Sequence, residues 1–489
     1  MCGSMTIPCP AGGPIPHCRW KRGRTMPDIP RQLGLAALTE GYRTGRFSPF
    51  DVAQAALDRA EGPLAQLNGL SSLDREMTLR AARDSTARWR EDRTLGPLDG
   101  VPISFKDSFH IKGLPRWHGT ACHAGLRSGV DALPVQRARA AGMIPVCKTA
   151  MPDFAMLMSG LSSHHGIIRN AWNPEDSPGG SSSGAGPSVV LGVAGVALGT
   201  DMVGSVRLPA ALSGLASIKP TQGRIAYDPP GSYRSAGPMA ASVDEVELTL
   251  AALGRFAEGD HFSAEGAYRP AAGFDPAGRR VALWRCAGWG DAPDAATRAA
   301  VDRAAALLAD MGAAITEIAD LHAEAEDYEA IHWNMLHIGA PDYFGLPPEA
   351  RGRIHPVVGA MYEALLGQSA IFAAEVRHRL LVAAARIAAQ LARFDYVLSP
   401  ALPVRRFAAE LPCPDPASGM ASHQAFACWF NQTGWPAATV PVLDPGDGGV
   451  PVSVQIAGKR FDDAGVLGLA RRLEQARGFA IRWPAGPRM

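Results

Sequence analysis

Residues 177–219 read SPGGSSSGAGPSVVLGVAGVALGTDMVGSVRLPAALSGLASIK, and this stretch joins two contrasting compositions. Its first twelve residues hold five serines, four glycines and two prolines, which is the composition of a flexible linker. The remainder is almost continuously apolar and predicts a buried core. Composition alone does not explain why linker-like residues run directly into a core sequence.

The sequence before this stretch carries a clear helix start. In "RFSPFDVAQAALDRAE" (46–61), Ser48 is a good N-cap and Pro49 occupies the first helical position. Asp51 stands where the acid of a capping box is expected, because its carboxylate can reach back to the N-cap backbone. We therefore expect a helix that begins at Pro49.

Helical and strand patterns alternate along the rest of the chain. "LPVQRARAAGMIPVCKT" (133–149) predicts a short helix, a stop at Gly142 and a strand, and residues 279–319 predict strand, helix and strand. Such units form parallel sheet covered by helices, so an α/β fold is predicted. Further predictions are a linker at 267–280, a long helix at 369–394, and strands at 395–403 and 449–458.

The length, composition and net charge of the chain argue against several functional classes. The chain has 489 residues, 47% of them hydrophobic, and a net charge of +1, so no charge surplus points to nucleic acid or a membrane surface. The eight cysteines are scattered without a CxxC pair, which favours a reducing, cytoplasmic location. No run of eighteen apolar residues is present, and the N-terminus lacks the apolar segment of a secretory signal.

Two single residues attract attention on chemical grounds. Ser182 is the serine of a GxSxG pattern, but the turn-forming residues before it, "NAWNPEDSP", provide no strand for a nucleophile elbow. Lys106 ends the apolar stretch "GVPISFK" (100–106). It is either a surface lysine whose stem is buried or a buried lysine whose pKa is lowered enough for it to act as a base.

Metal and cofactor chemistry receives little support. Two ExxH pairs, Glu329 with His332 and Glu375 with His378, have ligand spacing on a helix, but a di-metal site needs a four-helix bundle that the α/β pattern argues against. No GxxxxGK motif followed by Ser or Thr is present, and no complete GxGxxG lies between a strand and a helix. We expect no metal and no cofactor.

Five segments together resemble one known family. They are "GVPISFKDSF", "SPGGSSSGAG", "ALGTDMVGSVRLPAALSGLASIKPTQGRI", "FNQTGWPAATVPV" and "GVPVSVQIAGKRFDDAGVL". Lys106 lies 75 residues before Ser181, and Ser181 lies 24 residues before Ser205; the same separations occur in the amidase signature family of serine hydrolases. By these motifs and spacings the chain resembles that family from the helix after Ser48 to about residue 475.

The resemblance implies one large α/β/α domain around a central, mixed and twisted sheet. Residues 1–25 are then expected to be a flexible tail, with Met26 as a candidate natural start, and residues 26–489 form the domain. Within it we expect N-terminal helices to about residue 95, a core at about 96–260, and a second lobe and C-terminal return at about 275–489.

The resemblance also assigns catalytic roles. Ser205 is the nucleophile, Ser181 relays its proton, and Lys106 is the base, which must be neutral to accept that proton. Only serine hydroxyls are expected beside Lys106, so no counter-charge should offset the lowering of its pKa by burial. Backbone N–H groups of Met202, Val203, Gly204 and Ser205 are expected to form the oxyanion hole. Supporting positions are Gly180, whose peptide bond to Ser181 is cis in the family, and Ser182, Thr200, Asp201 and Arg207.

One position departs from the family pattern. The family usually has TDxGGS where this chain has TDMVGS, so Val203 replaces a glycine beside the nucleophile. Valine keeps the N–H but disfavours positive φ and adds bulk, which affects substrate scope more than catalysis. Apolar residues that could line an acyl pocket are Trp117, Met156, Met158, Trp333 and Trp429, although core packing explains each equally well.

The expected function is hydrolysis of the carbon–nitrogen bond of a small linear amide. Alternatives are the A subunit of a tRNA-dependent amidotransferase, with glutaminase activity, a carbamate or ester hydrolase of the same family, and a catalytically dead binding scaffold. No nucleic-acid or membrane partner is expected for the favoured function, and a homodimer remains open.

Overall fold

A central sheet of eleven strands organises the chain. The computed structural model describes residue 29 and residues 34–227, 229–270, 273–419 and 421–486. The strands are β1 (Leu70–Ser72), β2 (Pro102–Lys106), β3 (Ile144–Thr149), β4 (Leu161–Ser162), β5 (Gly166–Ile167), β6 (Val196–Asp201), β7 (Ala216–Lys219), β8 (Ser235–Ala240), β9 (Arg280–Trp284), β10 (Ala314–Ile318), β11 (Tyr396–Pro400), β12 (Ala437–Leu443) and β13 (Val452–Gly458).

The helices are α1 (Leu35–Arg43), α2 (Pro49–Arg59), α3 (Arg75–Arg90), α4 (Leu133–Ala140), α5 (Ala185–Val190), α6 (Arg207–Ala211), α7 (Val243–Leu253), α8 (Ala295–Asp310), α9 (Ala325–Phe344), α10 (Pro348–Arg351), α11 (Pro356–Glu363), α12 (Ala370–Leu391), α13 (Trp429–Gln432) and α14 (Asp463–Ala476). Within the described residues, no helix is both long and apolar enough to cross a bilayer.

The sheet is mixed, as expected. Its order is β1-β3-β2-β6-β8-β7-β12-β13-β11-β9-β10, and β4 and β5 form a separate two-stranded sheet. Strands β3, β2 and β6 run parallel to one another, and so do β11, β9 and β10, while β8, β7, β12 and β13 pair antiparallel. Strands from both halves of the chain therefore share one sheet, and the linker predicted at 267–280 falls in the sequence between this sheet's β8 and β9, with Arg280 already part of β9.

Helices cover both faces of this sheet. In β9, Val281 belongs to one apolar cluster with α7, α8 and α14, whereas Ala282 belongs to another with α9 and α12. Successive residues of a strand point to opposite faces, so the two clusters lie on opposite sides. This is the three-layer α/β/α arrangement that the family resemblance implies.

Several local predictions are confirmed. Ser48 caps α2 by accepting from the Asp51 N–H, and the Asp51 carboxylate accepts from the Ser48 N–H in return. Gly142 follows α4 with φ of 81°, a conformation that suits glycine. The strand–helix–strand unit at 279–319 is present as β9, α8 and β10, with β9 and β10 parallel.

Other parts of the fold were not predicted or lie outside the description. The sequence pattern did not identify β1, β4 to β8 or β12; β12 contains Pro441 and has a register irregularity there. The predicted tail at 1–25 lies outside the described residues.

Candidate active site

Two neighbouring parallel strands bring the first site residues together. Lys106 is the last residue of β2 and Asp201 is the last residue of β6, and β2 pairs with β6 in parallel. The carboxyl ends of adjacent parallel strands meet at one edge of a sheet, which is where α/β proteins commonly bind ligands. The site therefore lies at this edge.

Lys106 is fully buried, and its hydrogen-bond partners among the described residues are two neutral hydroxyls. Its Nζ donates to Ser181 Oγ at 2.7 Å and to Thr200 Oγ1 at 3.0 Å. Burial lowers the pKa of Lys106 to about 7, because a charged ammonium loses its hydration there. The alternative of an exposed lysine is therefore wrong for Lys106.

The electrostatics around Lys106 differ from the expectation in one respect. The nearby Asp201 carboxylate raises the pKa of Lys106, while the Arg234 guanidinium lowers it. The expectation that no counter-charge opposes burial is therefore wrong. The pKa still falls, because desolvation is the largest effect and Asp201 is itself paired with Arg207.

The Gly/Ser-rich stretch is a packed loop and not a linker. Residues 177–184 are all buried, and the peptide bond between Gly180 and Ser181 is cis. A Cβ placed on Gly184 would lie 2.2 Å from the Gly69 carbonyl oxygen, so backbone packs directly against backbone there. This close approach explains why small residues fill a segment inside the core.

Ser205 follows β6 and stands just before α6. It is 4% exposed, and its Oγ donates to Met158 Sδ at 3.4 Å. Ser205 and Ser181 line the same cleft. Ser182 is fully buried; its N–H donates to the Ser205 carbonyl at 3.3 Å, and its Oγ lies 3.5 Å from the Thr200 carbonyl. Of the two candidate nucleophiles, only Ser205 faces the cleft.

The backbone N–H groups of the turn between Asp201 and Ser205 do not all point into the cleft. The Gly204 N–H donates to Asp201 Oδ1 at 2.8 Å, so this group is directed at a carboxylate and not into the cleft. Gly204 has φ of 127°, whereas Val203 is not among the described residues with positive φ. Val203 is 2% exposed and packs in the apolar cluster that contains α9 and α12. The turn accommodates a valine at position 203 because the residue with positive φ, which favours glycine, is Gly204.

A buried ion pair holds this turn. Arg207 Nε and Nη2 bond to the Asp201 carboxylate at 3.0 and 2.9 Å, and both side chains are fully buried. Burial raises the pKa of Asp201, but the charge and hydrogen bonds of Arg207 outweigh this effect and hold that pKa below its usual value. The remaining Arg207 donors bond to the Ala427 carbonyl, the Asn431 side chain and the Gln455 side chain.

The cleft itself has a volume of about 710 Å³, counted out to its open mouth. One wall is the face of α9 that carries Met335, Ile338, Gly339 and Asp342. The other lining residues are Ser108, His118, Phe154, Ala155, Met156, Ser181, Thr200, Met202, Val203, Ser205, Tyr227 and Arg234.

The five apolar pocket candidates have different positions. Met156 lines the cleft, and Met158 contacts Ser205. Trp117 stacks on His164, Trp333 packs on Phe372, and Trp429 is a fully buried core residue. Core packing is therefore the better interpretation for Trp429.

Sequence reasoning missed five polar residues of the cleft, namely Ser108, His118, Tyr227, Arg234 and Asp342. They belong to separate segments of the chain, and no motif singles them out.

The two ExxH pairs lie on different helices. Glu329 and His332 lie on α9, and Glu375 and His378 lie on α12. In the described part of the chain, no three His, Cys, Asp or Glu side chains are grouped so as to hold a metal ion.

Comparison with known proteins gives a consistent result. A family model described as Amidase matches residues 51–467. The A subunit of the glutamyl-tRNA(Gln) amidotransferase of Dechloromonas aromatica (strain RCB) is 31% identical over 488 residues, covering 92% of this chain and 99% of that protein. The corresponding protein of Cupriavidus necator is also 31% identical, covering 92% of this chain and 97% of that protein.

Solved structures share the fold over nearly the whole chain. A 6-aminohexanoate cyclic dimer hydrolase has a TM-score of 0.82 and 26% identity, covering 94% of this chain and 99% of that chain. A bacterial aryl acylamidase of the amidase signature enzymes has a TM-score of 0.82 and 23% identity, covering 91% and 96%.

The buried ion pair leads to a stability prediction. Arg207→Met should lower the free energy of unfolding by about 3–5 kcal/mol, because it leaves the Asp201 carboxylate buried without its counter-charge. Chemical denaturation of wild type and variant measures the difference. The matched control is Arg280→Met, which breaks a partly exposed pair with Asp395 and should cost no more than about 1 kcal/mol. Equal losses in the two variants would contradict the role given to Arg207.

Proposed function

The chain belongs to the amidase signature family, and from this membership we propose that it hydrolyses a carbon–nitrogen amide bond through an acyl-enzyme on Ser205. In this proposal Ser181 is the proton relay and Lys106 is the base. The observation that carries it is the 2.7 Å hydrogen bond between Lys106 Nζ and Ser181 Oγ, made by a lysine whose burial lowers its pKa to about 7. Such a lysine is neutral in a large fraction of molecules at neutral pH, as a base must be.

The first chemical step forms the ester. Ser205 Oγ attacks the amide carbonyl carbon while its proton passes to Ser181 Oγ, and the Ser181 proton passes to neutral Lys106 Nζ. Before substrate binds, the Ser205 hydroxyl is bonded to Met158 Sδ, a weak acceptor that it can leave at little cost. The carbonyl carbon becomes tetrahedral and its oxygen becomes an oxyanion.

Backbone N–H groups of the turn after β6 stabilise this oxyanion. The Gly204 N–H is bonded to Asp201 before substrate binds, so we assign the role to the N–H groups of Met202, Val203 and Ser205. Collapse of the intermediate breaks the carbon–nitrogen bond. The proton held by Lys106 returns through Ser181 to the leaving nitrogen, which departs as a neutral amine.

Water then completes the cycle. The same relay accepts a proton from a water molecule as it attacks the acyl-enzyme ester, and Ser205 Oγ recovers a proton as the carboxylic acid is released. Every proton moves between Lys106, Ser181, Ser205 and the reactants. Esters and carbamates present the same carbonyl carbon to Ser205, so the proposal covers them as additional substrates.

A second candidate function is that of an amidotransferase glutaminase component, because relatives of that kind are 31% identical over most of this chain. We favour a stand-alone amidase, since the buried Val203 occupies space beside the nucleophile where the family usually has glycine. The contact of buried Lys106 with Ser181, which lines the cleft beside Ser205, argues against a catalytically dead scaffold.

The nucleophile assignment predicts unequal serine variants. Ser205→Ala should lower kcat on an amide on the order of 10⁶-fold, because no other hydroxyl can form the ester. Ser182→Ala is the matched control and should stay within roughly tenfold of wild type, since its Oγ makes only a 3.5 Å contact. Steady-state kinetics on purified folded variants give the measurement. An inactive Ser182 variant beside an active Ser205 variant would reverse the assignment.

The base assignment predicts a particular pH profile. Neutral Lys106 is required, and the neutral fraction rises as pH increases through a pKa of about 7, so kcat/KM should rise with pH and level off above that value. Lys106→Ala should lose about 10²–10⁴-fold on an amide and much less on an activated ester, whose leaving group departs without a proton.

Lys106→Arg provides the control for charge in the same experiment. A guanidinium cannot give up its proton at these pH values, so the variant should resemble Lys106→Ala on amides. The profiles are recorded on one amide and one activated ester with all three proteins. An arginine variant with near-wild-type amidase activity would mean that Lys106 supplies only positive charge.

The two candidate functions predict different substrate preferences for the isolated chain. A stand-alone amidase should hydrolyse aryl or alkyl amides with kcat/KM at least about tenfold above that for glutamine, equivalent to about 1.4 kcal/mol of transition-state binding. Ammonia release from glutamine and amine release from an amide panel are compared with one protein preparation. A preference for glutamine would favour the amidotransferase function.

A further inference from the structure

Arg234 faces the cleft, and no carboxylate of the described residues forms an ion pair with it. Arg234 lines the cleft together with Ser181 and Ser205. The Nη2 of Arg234 donates to the Pro229 carbonyl at 2.8 Å, while its Nε is buried and has no hydrogen-bond partner among the described residues. A buried donor without an acceptor is costly, so a ligand that supplies an acceptor gains affinity there.

The position of Arg234 is well defined. Its guanidinium carbon lies 4.0 Å from the centre of the Tyr227 ring, an arrangement that stabilises the cation on the face of the ring. The preceding residue, Tyr233, is held through its carbonyl oxygen by Asn431 Nδ2 at 3.0 Å. Asn431 also forms hydrogen bonds with Arg207 and Asp201. The buried ion pair beside the nucleophile is therefore linked through Asn431 to the segment just before β8 that carries Arg234.

The inner part of the cleft has an excess of positive charge. Two buried aspartates close to Lys106, its sequence neighbour Asp107 and the carboxylate of Asp201 that raises its pKa, are paired with Lys148 and Arg207. Burial lowers the pKa of His118, and the charges of Arg116 and Arg234 lower it further, so two arginines act on the inner cleft even when Lys106 is neutral. Asp342 faces the cleft from α9 but is exposed, where water and salt screen its charge.

We propose that Arg234 is a specificity residue that binds a carboxylate of the substrate, so that the preferred amides are anionic. This inference rests on the proposed function and names the substrate class for the same site. A guanidinium fits a carboxylate with two parallel hydrogen bonds, and no described residue accepts a hydrogen bond from the Nε of Arg234. The bound carboxylate would also replace the missing counter-charge of Arg234.

The test uses substrates matched in shape but not in charge. The first pair is the 4-nitroanilide of succinic acid, with a free carboxylate on the acyl part, and the 4-nitroanilide of 4-methylpentanoic acid, in which an isopropyl group replaces the carboxylate. The second pair is 4-acetamidobenzoate and 4-isopropylacetanilide, with the carboxylate on the leaving amine. The readout is the ratio of kcat/KM within each pair, which cancels general damage to the enzyme.

We expect wild type to prefer the anionic member of one pair by on the order of 10²-fold, and that pair identifies which side of the amide carries the carboxylate. Arg234→Gln should bring the ratio close to one, and Arg234→Lys should restore it only in part because lysine lacks the planar fork. The matched control is Arg393→Gln, which removes an exposed arginine that lies 4.9 Å from the Phe394 ring outside the cleft. Its ratio should equal that of wild type.

A binding measurement separates failure of this inference from failure of the proposed function. Isothermal titration of Ser205→Ala with the same four compounds measures binding without turnover. The anionic member of the preferred pair should bind more tightly than its neutral partner. In the double variant Ser205→Ala/Arg234→Gln this difference in affinity should disappear. Ratios near one in both pairs, or a preference that survives Arg234→Gln, would overturn the role of Arg234. Absence of hydrolysis of all four compounds, with the binding preference intact, would instead count against hydrolysis as the function.

Discussion

The fully buried ion pair between Asp201 and Arg207 is the interaction on which the site depends. A guanidinium has five N–H donors, and the structure provides five hydrogen bonds for them, to the Asp201 carboxylate, the Ala427 carbonyl and the side chains of Asn431 and Gln455. A buried charge is tolerated only when it is paired and fully hydrogen-bonded. The acceptors come from β6, α13 and β13 and from the segment just before α13, so the C-terminal part of the chain helps to hold the turn that carries Ser205.

The same carboxylate shapes the turn in a second way. Asp201 accepts from the N–H groups of Gly204 and Val206 as well as from Arg207. This wraps the backbone around one anion, directs the Gly204 N–H inward, and leaves Ser205 facing the cleft. The glycine conformation falls on Gly204, and for that reason a valine can stand at position 203 without strain.

Three buried lysines show that a lowered pKa does not by itself identify a base. Burial lowers the pKa of Lys106, Lys148 and Lys219, to about 7 for Lys106 and Lys219. Lys148 pairs with Asp107 at 2.7 Å, and Lys219 donates to the Pro220 carbonyl. Lys106 instead contacts Ser181, which lines the cleft beside Ser205. Geometry relative to the nucleophile distinguishes it from the other two.

The sequence determined features that depend on local or strictly spaced residues. The capping box at Ser48, the glycine after α4 and the βαβ unit at 279–319 follow from nearby residues, and the 75- and 24-residue separations pointed to the family. The strand pattern left the burial of Lys106 open, and the structure decided it. The tertiary structure alone decided that Gly204 bonds Asp201, that Asp201 opposes the desolvation of Lys106, and that His118, Arg234 and Asp342 share a cleft. These contacts join residues from distant segments, and because their energies depend on burial and distance across the fold, no local pattern in the sequence encodes them.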